Sequence, residues 1–280
     1  MSDRALPERL AELVALSSGD SRADTVIRLT CGRALSLSPL PVPVDLVDGH
    51  SEEEAVLAAF AEQFSTDVTG VGDNQRQCFV NAYGDRAFRF VVSVFIADFV
   101  PRVWAGCDAL GLGAPGVVSE VAWNPDGDPV DALLGGFVPA VARLRDLDAV
   151  TTEVVRLRGA AAHNCRLCRS LRETHALDEG GSEGLYRQIE DFEAAADLSD
   201  AHKAALRYVD ALIWTPSGID ERIVAGVHKH FSEEQAFELT LDVMRNAANK
   251  IAVALGADAP RVTEGTERYE VDETGQTVFA

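Results

Sequence analysis

The chain has 280 residues, of which 47% are hydrophobic and 25% are charged, and its formal net charge is −20. This composition is that of an ordinary soluble globular protein with ample material for a core, in one large domain or two smaller ones. The acidic excess argues against nucleic acid or an anionic membrane as a partner, since both require compensating cations.

The cysteine pattern and the N-terminal residues indicate the cellular compartment of the protein. Five cysteines are an odd number, and Cys31, Cys78 and Cys107 are scattered, unlike the disulfide framework of a secreted domain. We interpret these three as small buried hydrophobic residues. No basic region followed by an apolar core begins the chain, and the most apolar run, 88–100, is interrupted by charges and too short to span a bilayer. We therefore expect a cytoplasmic protein.

Helical periodicity dominates the chain. Ser51 and Ser232 each begin a capping-box pattern ahead of an apolar-periodic run. Pro101 is expected at a break between two helices, because proline interrupts the helical hydrogen bonds. The other expected helices are roughly 4–17, 85–98, 101–111, 137–162, 164–176, 183–196, 199–213, 219–230 and 232–254.

A short internal repeat indicates a duplication. The segment ALGLGAP, which begins at Ala109, matches ALGADAP, which begins at Ala254, at an offset of 145 residues. Each copy is followed by a strand-like run with a turn signal, 117–130 in the first and 261–280 in the second. The alternative is that this one segment, called the tag below, is similar by chance. The corresponding strand-like runs that follow both copies of the tag favour duplication.

We therefore predict an all-α fold, built from a duplicated helical-bundle unit with short hairpin-like appendages. The first unit, 1–130, has no CxxC motif, and the second unit, 131–280, carries one. A site, if present, is expected in the second unit, with the first as scaffold or oligomer surface.

The most informative motif is the pair Cys165 and Cys168. Between Thr151 and His175, five arginines stand against two glutamates, so this segment is a positive island in an acidic chain. Nearby positive charge lowers the pKa of a thiol and favours the reactive thiolate. Asn164 is expected to cap a helix that begins at Cys165, which would place both sulfurs at the positive end of a helix dipole and within reach of a disulfide.

Three other interpretations are open for these residues. The pair could be half of a zinc site with His163 and His175, although no second pair of ligands follows. The cysteines could be inert core residues, which a segment so rich in arginine disfavours. The arginines could also form a solvated face. We predict no metal and no cofactor.

This segment resembles the alkylhydroperoxidase D-like and carboxymuconolactone decarboxylase family. The family pattern is a glutamate, eleven residues, Cys-x-x-Cys, three residues and a histidine, in an all-helical fold often built as a repeat. Glu153, Cys165 and Cys168 match that spacing. The family's histidine is Arg172 here, so either His163 or, as the second choice, His175 replaces it, or Arg172 stabilises the thiolate electrostatically.

The resemblance implies a thiol-dependent peroxidase or disulfide oxidoreductase acting on alkyl hydroperoxides. Cys168 would attack the peroxide, Cys165 would resolve the sulfenic acid to a disulfide, and an external dithiol or protein reductant would restore both thiols. Glu153 would serve as general base or proton carrier, unless it forms an ion pair with Arg156 or Arg172. Family members oligomerise, so a homo-oligomer is expected.

Two alternative functions are considered. A non-catalytic helical assembly or redox-sensing protein is favoured by the loss of the family's histidine at Arg172. A carboxymuconolactone-type decarboxylase would need no external reductant, although decarboxylase members of the family lack the CxxC pair.

Overall fold

Helices dominate the computed structural model, which describes residues 5–117 and 120–279. The helices of the first half are α1 (Ala5–Ala15), α2 (Ser21–Leu35), α3 (Glu52–Asp67), α4 (Asp73–Tyr83) and α5 (Ala87–Ala109). A π-helical segment, Asp131–Phe137, leads into the second half. Its helices are α6 (Val138–Val141), α7 (Ala149–Ala162), α8 (Arg166–Arg169), α9 (Thr174–Asp178), α10 (Glu183–Tyr186), α11 (Asp200–Trp214), α12 (Glu221–His230), α13 (Glu233–Ala247) and α14 (Lys250–Ala254). The prediction of a mainly all-α fold is confirmed.

Helix positions recur at the offset of the sequence repeat. Shifted by 145 residues, α3 falls on α11, α4 on α12, α5 on the run of α13 and α14, and α1 on α7. The repeated tag is a helix C-terminus in both copies, and Gly111 and Gly256 have positive φ angles of 71° and 69°. In each copy the next residue donates its N–H to the carbonyl oxygen five residues earlier. Glycine adopts this backbone without strain, so the tag ends both helices in the same way.

One hydrophobic core joins the two halves. It includes residues from Leu6 in α1 to Ala254 in α14, and α5 packs against both α11 and α13. Helices α5 and α11 approach closely at Gly106, where a Cβ atom would meet the hydroxyl of Tyr208 and lie 2.8 Å from Leu212 Cδ1. The core therefore crosses the boundary proposed between 1–130 and 131–280.

Helix α5 is continuous, and the predicted break at Pro101 is wrong. Asp98, which is fully buried, pairs with Arg102 one turn later and with Lys250 of α14, so ion pairs hold the helix on both sides of the proline. The run 73–109 is long and apolar enough to cross a membrane, but 83% of its most apolar stretch is buried within this protein. It serves here as a core helix.

Helices α2 and α4 are additional to those predicted, and the expected helix 137–162 is interrupted. α6 ends at Val141, and α7 starts after Asp148, whose carboxylate caps it. Between them, the backbone N–H groups of Asp146 and Leu147 donate to the carboxylate of Glu238 in α13. Because α13 satisfies these donors, the chain turns here and does not continue as one helix.

A three-stranded sheet belongs to the second half, in the order β1 (Leu171–Glu173), β2 (Glu267–Val271) and β3 (Thr277–Phe279). β2 and β3 form an antiparallel hairpin, which confirms the hairpin predicted there. β1 pairs with β2 in parallel and takes residues that were expected to be helical. In the first half, described residues 117 and 120–130 contain one isolated bridge, between Leu16 and Asn124, and no strand. Residues 118 and 119 lie outside the described residues.

Candidate functional site

Cys165 and Cys168 lie at the junction of α7 and α8 and form a disulfide, with their Cα atoms 5.3 Å apart. α7 ends at Ala162, and Asn164 adopts a left-handed φ of 48°, which asparagine tolerates better than most residues do. Cys165 is the N-cap of α8, and its sulfur accepts the backbone N–H of Cys168. The prediction of Asn164 as N-cap is therefore wrong by one residue, and the helix is a single turn.

The disulfide is buried. Cys165 is 1% exposed and Cys168 is 5% exposed, and both pack in a small apolar cluster that includes Leu167 and Val253. The neighbouring Arg166 keeps 56% of its side chain exposed, so α8 itself lies near the surface. A reagent therefore reaches the sulfurs only when α8 moves.

The three remaining cysteines differ in exposure. Cys31 and Cys107 are buried as predicted, and burial raises the pKa of each thiol to about 12. Cys78 is exposed, so the prediction of a buried residue is wrong there. The exposed Cys78 thiol provides a reference for reagent access in experiments on the disulfide.

Asp258 holds α8 from the end of the second repeat. Its carboxylate accepts the backbone N–H of Arg166 and pairs with the Arg166 guanidinium at 2.6 Å, and its carbonyl oxygen accepts the N–H of Leu167. The hydrogen bond from Arg166 holds the pKa of Asp258 below its ordinary value. Asp258 is absent from the predicted site residues. The difference between the two copies of the tag could have indicated it, because the second copy has Asp258 where the first has Gly113.

All five arginines of the predicted positive island are paired with a carboxylate. The pairs are Arg156–Glu153, Arg158–Asp210, Arg166–Asp258, Arg169–Glu190 and Arg172–Glu183. Four of these carboxylates come from other parts of the acidic chain. The expectation of unneutralised positive charge around the thiols is therefore wrong.

Glu153 forms the ion pair that was the alternative to a role as general base. Both carboxylate oxygens accept from Arg156, at 2.6 and 2.7 Å, and both side chains are buried. The same guanidinium donates to the carbonyl oxygens of Cys168 and Leu171, at 2.8 and 2.7 Å. The Glu153 carboxylate thus reaches the CxxC turn through Arg156.

His163 and Arg172 make their contacts away from the cysteines. The His163 ring is buried 6.4 Å from the Phe99 ring, and its Nε2 has no hydrogen-bond partner among the described residues. Burial is the main cause that holds the pKa of His163 well below 6.5, so the ring is neutral. Arg172 lies on β1 and pairs with Glu183 at 2.7 Å. Within the described ranges, neither side chain hydrogen-bonds to a cysteine.

A cavity of about 690 Å³ lies beside the Glu153–Arg156 pair, between α7, α9, α13 and β2. Glu153, Arg156 and His175 line it, whereas Cys165 and Cys168 are not among its described lining residues. Its volume is typical of a site for a small molecule. The ion pair therefore faces the cavity on one side and the CxxC turn on the other.

Comparison with known proteins finds uncharacterized relatives. The uncharacterized proteins MT2376 and Rv2313c, from two strains of Mycobacterium tuberculosis, are each 54% identical to this chain over 273 residues, which is 96% of this chain and 96% of theirs. The uncharacterized protein YnjA of Escherichia coli is 26% identical over 125 residues, which is 44% of this chain and 69% of its own length. No family model matches the chain, and no solved structure gives a significant match.

Proposed function

The chain belongs to the same family as the uncharacterized protein Rv2313c of Mycobacterium tuberculosis, and for it we propose a function in thiol–disulfide redox chemistry. Cys165 and Cys168 cycle between dithiol and disulfide, as in the alkylhydroperoxidase-like proteins that the motif resembles. The observation that carries this proposal is the placement of the two cysteines one helical turn apart, with the Cys165 sulfur accepting the Cys168 N–H at 3.2 Å. After reduction, this N–H stabilises the thiolate of Cys165, the resolving cysteine, and so favours closure of the disulfide.

The oxidant in this proposal is an alkyl hydroperoxide. The Cys168 thiolate attacks one peroxide oxygen, the O–O bond breaks, and the alkoxide leaves as an alcohol after taking up a proton, so that Cys168 becomes a sulfenic acid. The Cys165 thiol attacks that sulfur, and hydroxide leaves with the thiol proton as water. An external dithiol then reduces the disulfide in two exchange steps and is itself oxidised to a disulfide.

Glu153 has a positioning role in this proposal rather than that of a general base. Arg156 holds the Glu153 carboxylate and also the carbonyl oxygen of Cys168, which supports a fixed orientation of α8. A positioning residue affects the rate equally at every pH, whereas a general base shapes the pH profile. Glu153→Gln is therefore expected to lower the rate of peroxide reduction and to leave the shape of its pH profile unchanged.

Consumption of tert-butyl hydroperoxide with dithiothreitol as reductant tests the proposal. Cys165→Ser and Cys168→Ser are each expected to lose roughly ten-fold or more in initial rate, because the cycle needs both sulfurs. Cys78→Ser removes the exposed free thiol and serves as the matched control, with a rate equal to that of the unmodified protein. Equal rates in all three variants would contradict the proposal.

A second candidate, a redox-sensing or structural disulfide, is favoured by the burial of both sulfurs. With exposures of 1% and 5%, they meet an oxidant only after α8 moves. A structural disulfide constrains the chain and a sensing disulfide responds to the redox state, but neither turns over a substrate. Reduced protein mixed with one equivalent of hydroperoxide separates the two candidates. Fast closure of Cys165 and Cys168 supports the oxidoreductase, and closure no faster than oxidation of Cys78 supports the second candidate.

A further inference from the structure

The cavity beside Glu153 and Arg156 has strongly acidic walls. Among its described lining residues, eight carboxylate side chains stand against three guanidinium groups. Two of those guanidinium groups are already paired, Arg156 with Glu153 and Arg245 with Asp242. Apolar side chains complete the wall, among them Val141. A space of about 690 Å³ with such walls suits a small organic molecule that carries positive charge.

Two of the carboxylates are buried on one face of α13. Glu238 and Asp242 are each 2% exposed and lie one helical turn apart. Asp242 Oδ1 accepts from Arg245 at 3.1 Å, but Oδ2 has no hydrogen-bond partner in the described part of the chain. Burial, reinforced by Asp242, raises the pKa of Glu238 to about 7. Burial raises the pKa of Asp242, and a buried carboxylate oxygen without a partner is destabilising, so a cationic donor that reached Oδ2 would stabilise the ionised carboxylate.

A second cavity, of only about 10 Å³, lies in the first half, and three of its lining residues correspond to lining residues of the acidic cavity. At the offset of 145, the equivalent residues are Arg28 for Glu173, Ser93 for Glu238 and Ala97 for Asp242. Arg28 is 5% exposed, and its guanidinium donates to the carbonyl oxygens of Val14 and Leu16. At these three positions the small cavity of the first half therefore has a buried guanidinium, a serine and an alanine, whereas the large cavity has three carboxylates.

We propose that this cavity binds an organic cation, a primary alkylammonium or guanidinium group, with Asp242 and Glu238 as its acceptors. The alkyl part of the ligand lies on the apolar wall. Within residues 5–117 and 120–279, no three His, Cys, Asp or Glu side chains are grouped to hold a metal ion, so these carboxylates are spread around the cavity rather than converging on one point. The site goes beyond the redox proposal, because binding requires neither Cys165 nor Cys168.

Calorimetric titration of the full chain at about pH 8 tests this proposal, since alkylamines are still protonated there. Hexylamine, hexanol and hexanoate share one alkyl chain and differ in charge. Hexylamine is expected to bind roughly ten-fold or more tightly than hexanol and hexanoate, because the wall charge decides recognition. The proposal is overturned if hexylamine does not bind, if hexanol binds as tightly, or if Mg²⁺ displaces hexylamine from the site.

Two variants locate the binding site within the cavity. Asp242→Asn and Glu238→Gln each remove one negative charge and are expected to weaken hexylamine binding by roughly ten-fold. Asp210→Asn removes an ion-paired carboxylate outside this cavity and is the matched control, with unchanged affinity. If Asp242→Asn does not fold, Glu238→Gln decides alone. Unchanged affinity in the cavity variants, or an equal loss in the control, overturns the site, while the peroxide assay is unaffected by either result.

Discussion

The Arg156 guanidinium connects three elements of the second half of the chain. It binds the Glu153 carboxylate in α7, the Cys168 carbonyl oxygen in α8 and the Leu171 carbonyl oxygen in β1. Desolvating two charges is unfavourable, and this pair is stable because hydrogen bonds satisfy both partners. Removing one partner leaves the other charge buried and unpaired.

Glu153→Gln is therefore expected to lower the free energy of unfolding by about 3–5 kcal/mol, measured by urea denaturation. The matched control is Glu193→Gln, which breaks a Glu–Arg pair with Arg207 whose side chains are 56% and 43% exposed. Water screens that pair, so its loss should cost about 1 kcal/mol or less. Equal losses in both variants would show that the Glu153–Arg156 pair has no special role in holding the CxxC turn.

Glu238 makes the stability of the chain depend on pH. Burial raises its pKa from 4.5 to about 7, so between these values the folded chain retains a proton that the unfolded chain has lost. The stabilisation from this carboxyl is therefore complete below pH 4.5 and is lost as the pH rises through about 7.

The corresponding prediction compares the unmodified chain with Glu238→Gln across this pH range. The difference in unfolding free energy, unmodified minus variant, should fall as the pH rises, since glutamine has no proton to lose. His163, whose lowered pKa acts with the opposite sign, is present in both proteins and cancels in the difference. A difference that is constant or rises with pH would contradict the assignment.

Local sequence patterns predicted several elements of this fold correctly. The capping boxes at Ser51 and Ser232 both form, and so does the hairpin of β2 and β3. Each of these depends on residues close together in the chain. The continuity of α5 through Pro101 and the strand β1 were missed, because the buried Asp98–Lys250 ion pair and pairing with β2 stabilise them from distant parts of the sequence.

For the candidate site too, local sequence predicted some features and could not predict others. The proximity of Cys165 and Cys168 follows from their spacing, and the structure places them in a disulfide. The charge around them could not be predicted, because the partners of four arginines come from outside the predicted island. Composition shows an acidic excess, but only the folded chain shows that part of it neutralises this segment.

We predict opposite effects on stability for alanine substitutions at two helical glycines, one at the contact between α5 and α11 and one away from it. Gly106→Ala adds a Cβ that meets Tyr208 and Leu212, so it should destabilise the chain by about 1–3 kcal/mol. Gly159→Ala in α7 meets nothing within 4 Å and should stabilise it by up to about 1 kcal/mol through helix propensity. Urea denaturation of both variants checks this, and a Gly106→Ala variant as stable as the unmodified chain would contradict the close approach.

The two halves share one core but differ in what they contain. The first half holds the buried Arg28 guanidinium, and the second half holds the disulfide and the acidic cavity. α5 of the first half packs on α11 and α13 of the second, so neither half buries its apolar surface alone. The molecule should therefore unfold as a single unit.

We expect one cooperative urea transition, with the same midpoint from far-ultraviolet circular dichroism and from tryptophan fluorescence. Trp104 lies in α5 and Trp214 ends α11, so the fluorescence signal samples both halves. Two separate transitions would show that the units 1–130 and 131–280 fold independently, contrary to the shared core.

The proposed redox function is tested most directly by equilibrating the folded protein in dithiothreitol buffers, alkylating the free thiols and measuring the peptide that contains Cys165 and Cys168 by mass spectrometry. Cys78, which is exposed, reports that the alkylating reagent has reacted completely. A reversible two-electron transition of Cys165 and Cys168 at roughly −200 to −300 mV, in a chain that stays folded, is the predicted result. A disulfide that remains closed below about −300 mV, or opens only on unfolding, would contradict it.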